Sequence, residues 1–224
     1  EDRNAINRME VQFRGASLIM TGSSSPSRLQ SKPVRWLFLD EVRNYPDGAL
    51  EMVLKRTRAY WNARRCIVST PDMYNDATHR AFVQGDQRVW HYACPKCKKL
   101  RPMSWENMKW DINEKTKNAS GYDFDELSKT IRFECECGKK LKDTPKDRRV
   151  FVDSGQFVAL NPNAPANRRS YHWNALLPPW VKWRDLVEEF LIAKGALTYA
   201  DTAPLKDFIN AREAARNNLS ALVV

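Results

Sequence analysis

Two tight cysteine pairs, Cys94-Pro-Lys-Cys97 and Cys135-Glu-Cys137-Gly138, limit the folds open to this chain more than any other feature. Residues 98–134 separate them. Four thiolates complete a tetrahedral Zn²⁺ shell with no open position, so such a site is structural rather than catalytic. It can supply an apparent folding free energy of about 10–16 kcal/mol, which suits the Lys-, Glu-, Asn- and Asp-rich segment between the pairs. The second pair is one residue shorter than the first, which tightens its chelate turn. The fifth cysteine, Cys66, stands alone in an apolar run and reads as a small buried hydrophobe. The odd count and the missing secretory signal argue against a disulfide framework and for a reducing, intracellular compartment.

The chain before these pairs has a different rhythm. Ala16–Thr21 is a short apolar run that stops in the polar turn Gly22-Ser-Ser-Ser-Pro26. Val34-Arg-Trp-Leu-Phe-Leu39 is a second strand without polar alternation at its end, as expected where both faces are covered in a parallel sheet. A helix follows Asn44-Tyr-Pro-Asp47, with Asp47 as its N-cap, Leu50, Val53 and Leu54 at core spacing, and Lys55, Arg56 and Arg58 on the polar face. Arg65-Cys-Ile-Val68 is the next strand. Strand, helix and strand within this span form the βαβ unit of a doubly wound α/β sheet. Beyond the cysteines, Gly155–Ala159 reads as a strand. Arg184–Lys194 reads as an amphipathic helix, and a last helix runs from about Pro204 to Arg216. The expected division is 1–92, 93–142 for the metal-held insertion, and 143–224.

Trp36-Leu-Phe-Leu-Asp40-Glu41 delivers two consecutive carboxylates at the carboxyl end of a strand, where open α/β sheets bind their ligands. There Asp40 suits a Mg²⁺ ion held largely through its waters. Glu41 suits the orientation and deprotonation of a water that attacks a γ-phosphate. The next strand ends in Ser69-Thr70-Pro71, hydroxyls able to relay loss of that phosphate. No G-x-x-x-x-G-K-[ST] loop occurs, and Gly22-Ser-Ser-Ser lacks the required lysine. The chain opens Glu1-Asp-Arg-Asn without an initiator methionine. It is therefore read as a segment whose phosphate-binding loop precedes it, inactive towards ATP by itself.

Thirty-seven Lys and Arg against 27 Asp and Glu give a net charge of +10, which favours a polyanionic partner, nucleic acid before a membrane surface. No apolar run reaches the roughly 18 residues of a membrane span. His79, His91 and His172 are scattered and read as structural; Trp173, Trp180 and Trp183, around Pro178-Pro179, read as packing under the following helix.

Taken in order, these segments resemble the large terminase subunits of tailed phages, of the lambda-like GpA type. Gly22 to Pro46 resembles that family's Walker B region, followed by Lys55-Arg-Thr57, Val68-Ser-Thr-Pro71, Ala81-Phe82, Gly85-Asp-Gln-Arg88, Ala93-Cys-Pro-Lys-Cys97 and Trp105-Glu-Asn107. Tyr171-His-Trp-Asn-Ala175, Trp180–Phe190 and Phe208-Ile-Asn210 continue the match. The resemblance implies an α/β P-loop NTPase-like (ASCE) fold with a mostly parallel sheet, present here as its second half, carrying an inserted Cys₄ zinc-ribbon-like subdomain. It implies ATP with Mg²⁺ and a structural Zn²⁺ as cofactors, and ATP-driven translocation of double-stranded DNA into a procapsid in the host cell cytoplasm. The DNA-cleaving nuclease domain lies outside this chain. Asp40 and Glu41 would be the Walker B and catalytic acids, Ser69 and Thr70 the coupling motif, and Cys94, Cys97, Cys135 and Cys137 the metal ligands. Lys55, Arg56 and Arg58 are the DNA-contact candidates. The small terminase subunit, the portal and further copies of the chain are the implied partners. A helicase-like ATPase and a non-catalytic zinc-ribbon module remain the alternatives.

Overall fold

The computed structural model describes residues 9–24, 30, 32–71, 75–118, 121–196, 199 and 201–210 of a mixed α/β chain. The chain forms two compact units, Glu1–Ser69 and Thr70–Val224.

In the first unit, β1 (Glu10–Phe13) and β2 (Ala16–Ile19) make an antiparallel hairpin whose turn uses Gly15 at φ 82°. Then come β3 (Trp36–Asp40), a 3-10 turn at Val42–Asn44, helix α1 (Ala49–Leu54), a 3-10 turn at Lys55–Ala59, and β4 (Arg64–Val68). Strands β3 and β4 pair in parallel, with Trp36 opposite Arg64 and Asp40 opposite Val68. Parallel partners need a crossover, and α1 supplies it, so the expected strand–helix–strand unit is present. Leu39, Val42, Ala49 and Val53 are buried in this unit.

Three local expectations change here. Helix α1 starts from Gly48, in the left-handed region at φ 77° with no side-chain cap, and not from Asp47. Among the described residues, β3 is not covered on both faces: Trp36 and Phe38 are 58% and 69% exposed while Leu39 is buried. Side chains alternate along a strand, so Trp36 and Phe38 share the face opposite Leu37 and Leu39. Cys66 is paired with Phe38 and lies on that same face, so it is exposed rather than buried.

The second unit begins with α2 (Ala77–Val83), β5 (Arg88–Ala93), β6 (Leu100–Pro102) and β7 (Met108–Lys109). Next are β8 (Lys117–Asn118), β9 (Gly121–Tyr122), α3 (Phe124–Ser128), β10 (Arg132–Glu134) and β11 (Lys140–Leu141). Helix α4 (Pro145–Asp153), β12 (Gln156–Ala159), β13 (Tyr171–His172), α5 (Trp183–Ala196) and α6 (Ala203–Phe208) complete it. Strand β5 is the hub of one sheet, antiparallel to β12 and β6 and parallel to β13; β11, β10 and β7 form a second, antiparallel sheet. The expected strand at 155–159 and helix at 184–194 are both present. The last helix is α-helical over Ala203–Phe208 and continues as a π turn through Ile209 and Asn210; the remainder of its expected span, from residue 211, lies outside the described residues.

The second unit has one continuous core. Tyr92, Phe133, Phe151 and Trp183 meet edge to face or tilted, at centroid distances from 4.8 Å (Tyr92–Phe151) to 6.2 Å (Phe133–Trp183). Trp105 packs on Phe190 and Phe208 at 5.2 and 4.9 Å. Trp105, Met108, Leu127, Phe133 and Leu141 come from the segment the sequence marks as polar, so that segment does not depend on metal alone. Its few apolar residues are spaced to converge in three dimensions, which short windows of sequence conceal. Of the three neighbouring tryptophans, Trp183 is buried as expected, while Trp173 and Trp180 are exposed.

Polar locks join these layers. Thr144 caps α4 by accepting from the Asp147 N–H, and Pro145 occupies its first turn, where a missing N–H costs nothing. Asp143 accepts from the Trp183 N–H at 2.7 Å and so caps α5 from a distant part of the chain. Arg148, buried, donates to the Pro178 and Val181 carbonyls and lies 4.9 Å over the Trp183 ring.

Candidate functional site

The two cysteine pairs form matching hairpin tips. The turn joining β5 to β6 carries Cys94 and Cys97. It is closed by Lys98 N–H to the Cys94 carbonyl at 2.8 Å and Cys94 N–H to the Lys99 carbonyl at 3.1 Å. The turn joining β10 to β11 carries Cys135 and Cys137, closed by Gly138 N–H to the Cys135 carbonyl at 2.7 Å and Cys135 N–H to the Lys139 carbonyl at 2.9 Å. Both tips reverse through the left-handed region, at Lys98 (φ 60°) and at Gly138 (φ 79°). The shorter pair reaches that reversal one residue sooner, and glycine makes the tighter turn free of strain.

All four sulfurs lie within 4.8 Å of one another, and Cys94 and Cys137 approach to 3.6 Å. A tetrahedral thiolate shell with metal–sulfur bonds near 2.3 Å spaces its sulfurs by about 3.8 Å, so the cluster is of the size that holds a metal ion such as zinc. The donor chemistry agrees. Backbone N–H of Lys99, aided by the neighbouring cysteines, brings the Cys97 thiol down to about 6. Burial pushes the Cys94 thiol up to about 11. Burial opposes ionisation of Cys135 too, but the Cys137 N–H and the surrounding donors, Tyr92 among them, outweigh it and lower that thiol. Thiols that ionise readily and one held protonated by burial thus stand side by side, and a cation bound among them would displace the remaining protons.

In the first unit, parallel pairing brings the carboxyl ends of β3 and β4 side by side. Asp40 ends β3, Glu41 follows it, and Ser69 follows β4. The Glu41 N–H donates to Asp40 Oδ1 at 3.0 Å, and Glu41 itself sits at φ 51°. A glutamate in the left-handed region costs on the order of 1 kcal/mol, and such strain gathers where a side chain must point in a set direction. Arg43 links the edge: its Nε lies 3.4 Å from Glu41 Oε2, and its N–H donates to Ser69 Oγ at 3.2 Å. Burial and the Asp40 carboxylate together raise the Tyr45 phenol. Asp40, Glu41 and Ser69 are thus brought together, and Arg43 and Tyr45 join them unforeseen. The only sequence signal for either was an arginine two residues after the acid pair. Thr70 is half-buried and continues from Ser69 into the second unit.

Lys55 and Arg58 are exposed, but on a 3-10 turn rather than an α-helical face. Arg56 is half-buried and donates to the Gln30 carbonyl, so its charge is tied down. Thr57 between them is buried, bonding the Leu54 carbonyl and Arg65 Nε at 2.9 and 2.7 Å. His79, His91 and His172 are half-buried and stand apart from the metal-ligating cluster, as expected.

Several segments quoted for the family resemblance turn out to be structural. Asp86, 3% exposed, accepts from Arg88 and Arg169 at 2.7 Å each and from the Ser170 N–H at 3.0 Å. Buried Asn174 donates to the Met103 carbonyl at 2.9 Å and accepts from the Leu176 N–H. No helix among the described residues is long and apolar enough to cross a membrane.

Comparison with curated proteins and with solved structures returns no match. The family model for the phage terminase large subunit gpA, ATPase domain, matches residues 1–156, most of the chain and both candidate centres, and the chain belongs to that family.

Proposed function

We propose that this chain supplies the water-activating acid and the metal-stiffened platform of a motor that drives double-stranded DNA into a phage procapsid. Family membership implies ATPase activity and a role in phage DNA packaging. The observation that carries the finer reading is the strained Glu41, held at φ 51° beside Asp40 on the carboxyl edge of two parallel strands. Open α/β sheets bind their ligands at such a carboxyl edge, and a P-loop NTPase-like (ASCE) sheet would present its nucleotide there.

In this reading Asp40 supports Mg²⁺ through the ion's waters, and Glu41 accepts the proton of the water that attacks the γ-phosphate. Arg43, paired with Glu41 and bonded to Ser69, links the acid to the Ser69-Thr70 segment. That segment reports loss of the phosphate to the rest of the motor. Cys94, Cys97, Cys135 and Cys137 hold one Zn²⁺ in a purely structural role. Lys55 and Arg58 are outward cations of the first unit offered to DNA phosphates, and Arg56 beside them is held on the Gln30 carbonyl. Residues 1–224 include no lysine-bearing phosphate loop, so these residues by themselves do not turn over ATP. The small terminase subunit, the portal and further copies of the chain are the partners, in the host cytoplasm. DNA cleavage belongs to a separate nuclease domain.

The test is Glu41→Gln in the ATP-hydrolysing enzyme. The amide keeps size and hydrogen bonding but cannot take the proton, so turnover falls by about 10²–10⁴-fold while nucleotide binding persists. Asp40→Ala weakens Mg²⁺-nucleotide binding as well. Turnover within a few-fold of wild type in Glu41→Gln would show that this carboxylate is only a solvated strand end.

A further inference from the structure

We propose that the shallow groove between the Cys94–Lys99 tip and helix α4 is a second grip on duplex DNA, holding its phosphate backbone through Lys98, Lys146 and Arg149. These three cations line the groove and are exposed, and among the described residues none of their side chains has a hydrogen-bond or ion-pair partner. Several arginines of this unit are instead committed: Arg101 to Glu136, Arg132 to Asp111 and Glu134, Arg148 to Asp143, and Arg169 to Asp86. The groove's one acid, Asp153, follows Arg149 by four residues on α4 and forms no ion pair with it.

Two of the three cations occupy places that local preference would fill otherwise. Lys98 holds a left-handed conformation at φ 60°, while glycine fills the corresponding reversal of the other tip at φ 79°. Lysine there forgoes about 1 kcal/mol that glycine would recover. Lys146 stands in the first turn of α4, where the helix dipole disfavours a cation. Residues that break a local rule without repaying it inside the fold mark positions kept for something outside it. Lys146 and Arg149, three residues apart on the helix, project from one face, and Lys98 reaches the same groove from a tip anchored by the cysteine cluster. Three unpaired cations held by two rigid elements fit a rigid polyanion read without regard to sequence. The packaging reading enters only in making that polyanion duplex DNA, and ATP turnover tests that reading separately.

A competing structural role is compensation of the negative tetrathiolate by Lys98. Lys146 and Arg149 lie off the tips and keep the two roles separable. The experiment measures binding of a mixed-sequence DNA duplex by fluorescence anisotropy across a salt series. It uses wild type, Lys146→Gln/Arg149→Gln, and the triple variant that adds Lys98→Gln. Zinc content and thermal midpoint are read on each. Each lost phosphate contact removes about 0.9 from the slope of log affinity against log salt, so the slope falls by about 2 in the double variant and about 3 in the triple. Affinity falls at least about tenfold at moderate salt, with zinc and midpoint unchanged in the double variant. Wild-type affinity and slope in a folded double variant would overturn the proposal. So would loss confined to Lys98→Gln with loss of zinc, or binding of an acidic polypeptide as tight as that of DNA. A loss of binding in Lys55→Gln/Arg58→Gln with none in the groove variants would place the grip in the first unit instead.

Discussion

Replacing Asp86 by asparagine tests the lock that joins the end of α2 to the strand β13. Burial alone would raise this carboxyl, but the Arg169 guanidinium, the Ser170 N–H and Arg88 overcome it and bring it from 3.8 to about 2. At about 1.4 kcal/mol for each tenfold change in proton affinity, the ionised form favours the folded unit by about 2.5 kcal/mol at neutral pH. Because the folded value is depressed, that stability is complete above about pH 5 and drains away as pH falls through 4 towards 2. The Asp86→Asn side chain is nearly isosteric but puts an amide donor against two guanidinium donors and the Ser170 N–H. The expected loss at pH 7 is therefore about 2–4 kcal/mol, between the linkage figure and that for breaking a buried pair. Urea denaturation followed by tryptophan fluorescence measures it, since Trp90, Trp105 and Trp183 are all packed in this unit. The difference between wild type and variant should narrow below pH 4. A loss under about 0.5 kcal/mol at pH 7, or a difference indifferent to pH between 6 and 3, would refute the reasoning.

The cysteine cluster should bind one zinc per chain by elemental analysis. Chelation or Cys94→Ser should lower the thermal midpoint of the second unit by about 10 °C or more, because even about 5 kcal/mol of metal-linked stability moves a domain of this size that far. Zinc-free protein with an unchanged midpoint would remove the metal from the account. Gly155→Ala should destabilise by about 1–3 kcal/mol in the same urea assay. A Cβ there runs into the Trp90 ring and the Phe151 carbonyl, and the Trp90 indole N–H is already fixed on that carbonyl at 3.0 Å.

Chemistry that resides in short spacings was legible before any coordinates. Cys94/Cys97 and Cys135/Cys137 each form a local turn, and two thiolate turns in one chain have few uses besides meeting at a metal. The strand–helix–strand unit from Trp36 to Val68 was legible for a similar reason, since apolar runs and helical spacing are properties of short windows. The failures share a cause as well. Asp47 is a good capping residue by type, yet Gly48 starts the helix because the chain must reverse there. Cys66 is apolar by type, yet it is exposed because nothing described packs on its face of β4.

From its sequence alone, then, this protein was expected to carry apolar strands ending at Asp40 and at Val68 and two paired-cysteine turns, because each follows from neighbouring residues. Tertiary structure alone decided what long-range packing and charge pairing decide. It drew Trp105, Leu127 and Phe133 out of a polar-looking segment into a shared core. It set Arg43 against Ser69, and it tied Arg56 to the Gln30 carbonyl while leaving Lys98, Lys146 and Arg149 free. Burial and pairing are relations between residues distant in the chain, and no local window of sequence holds them.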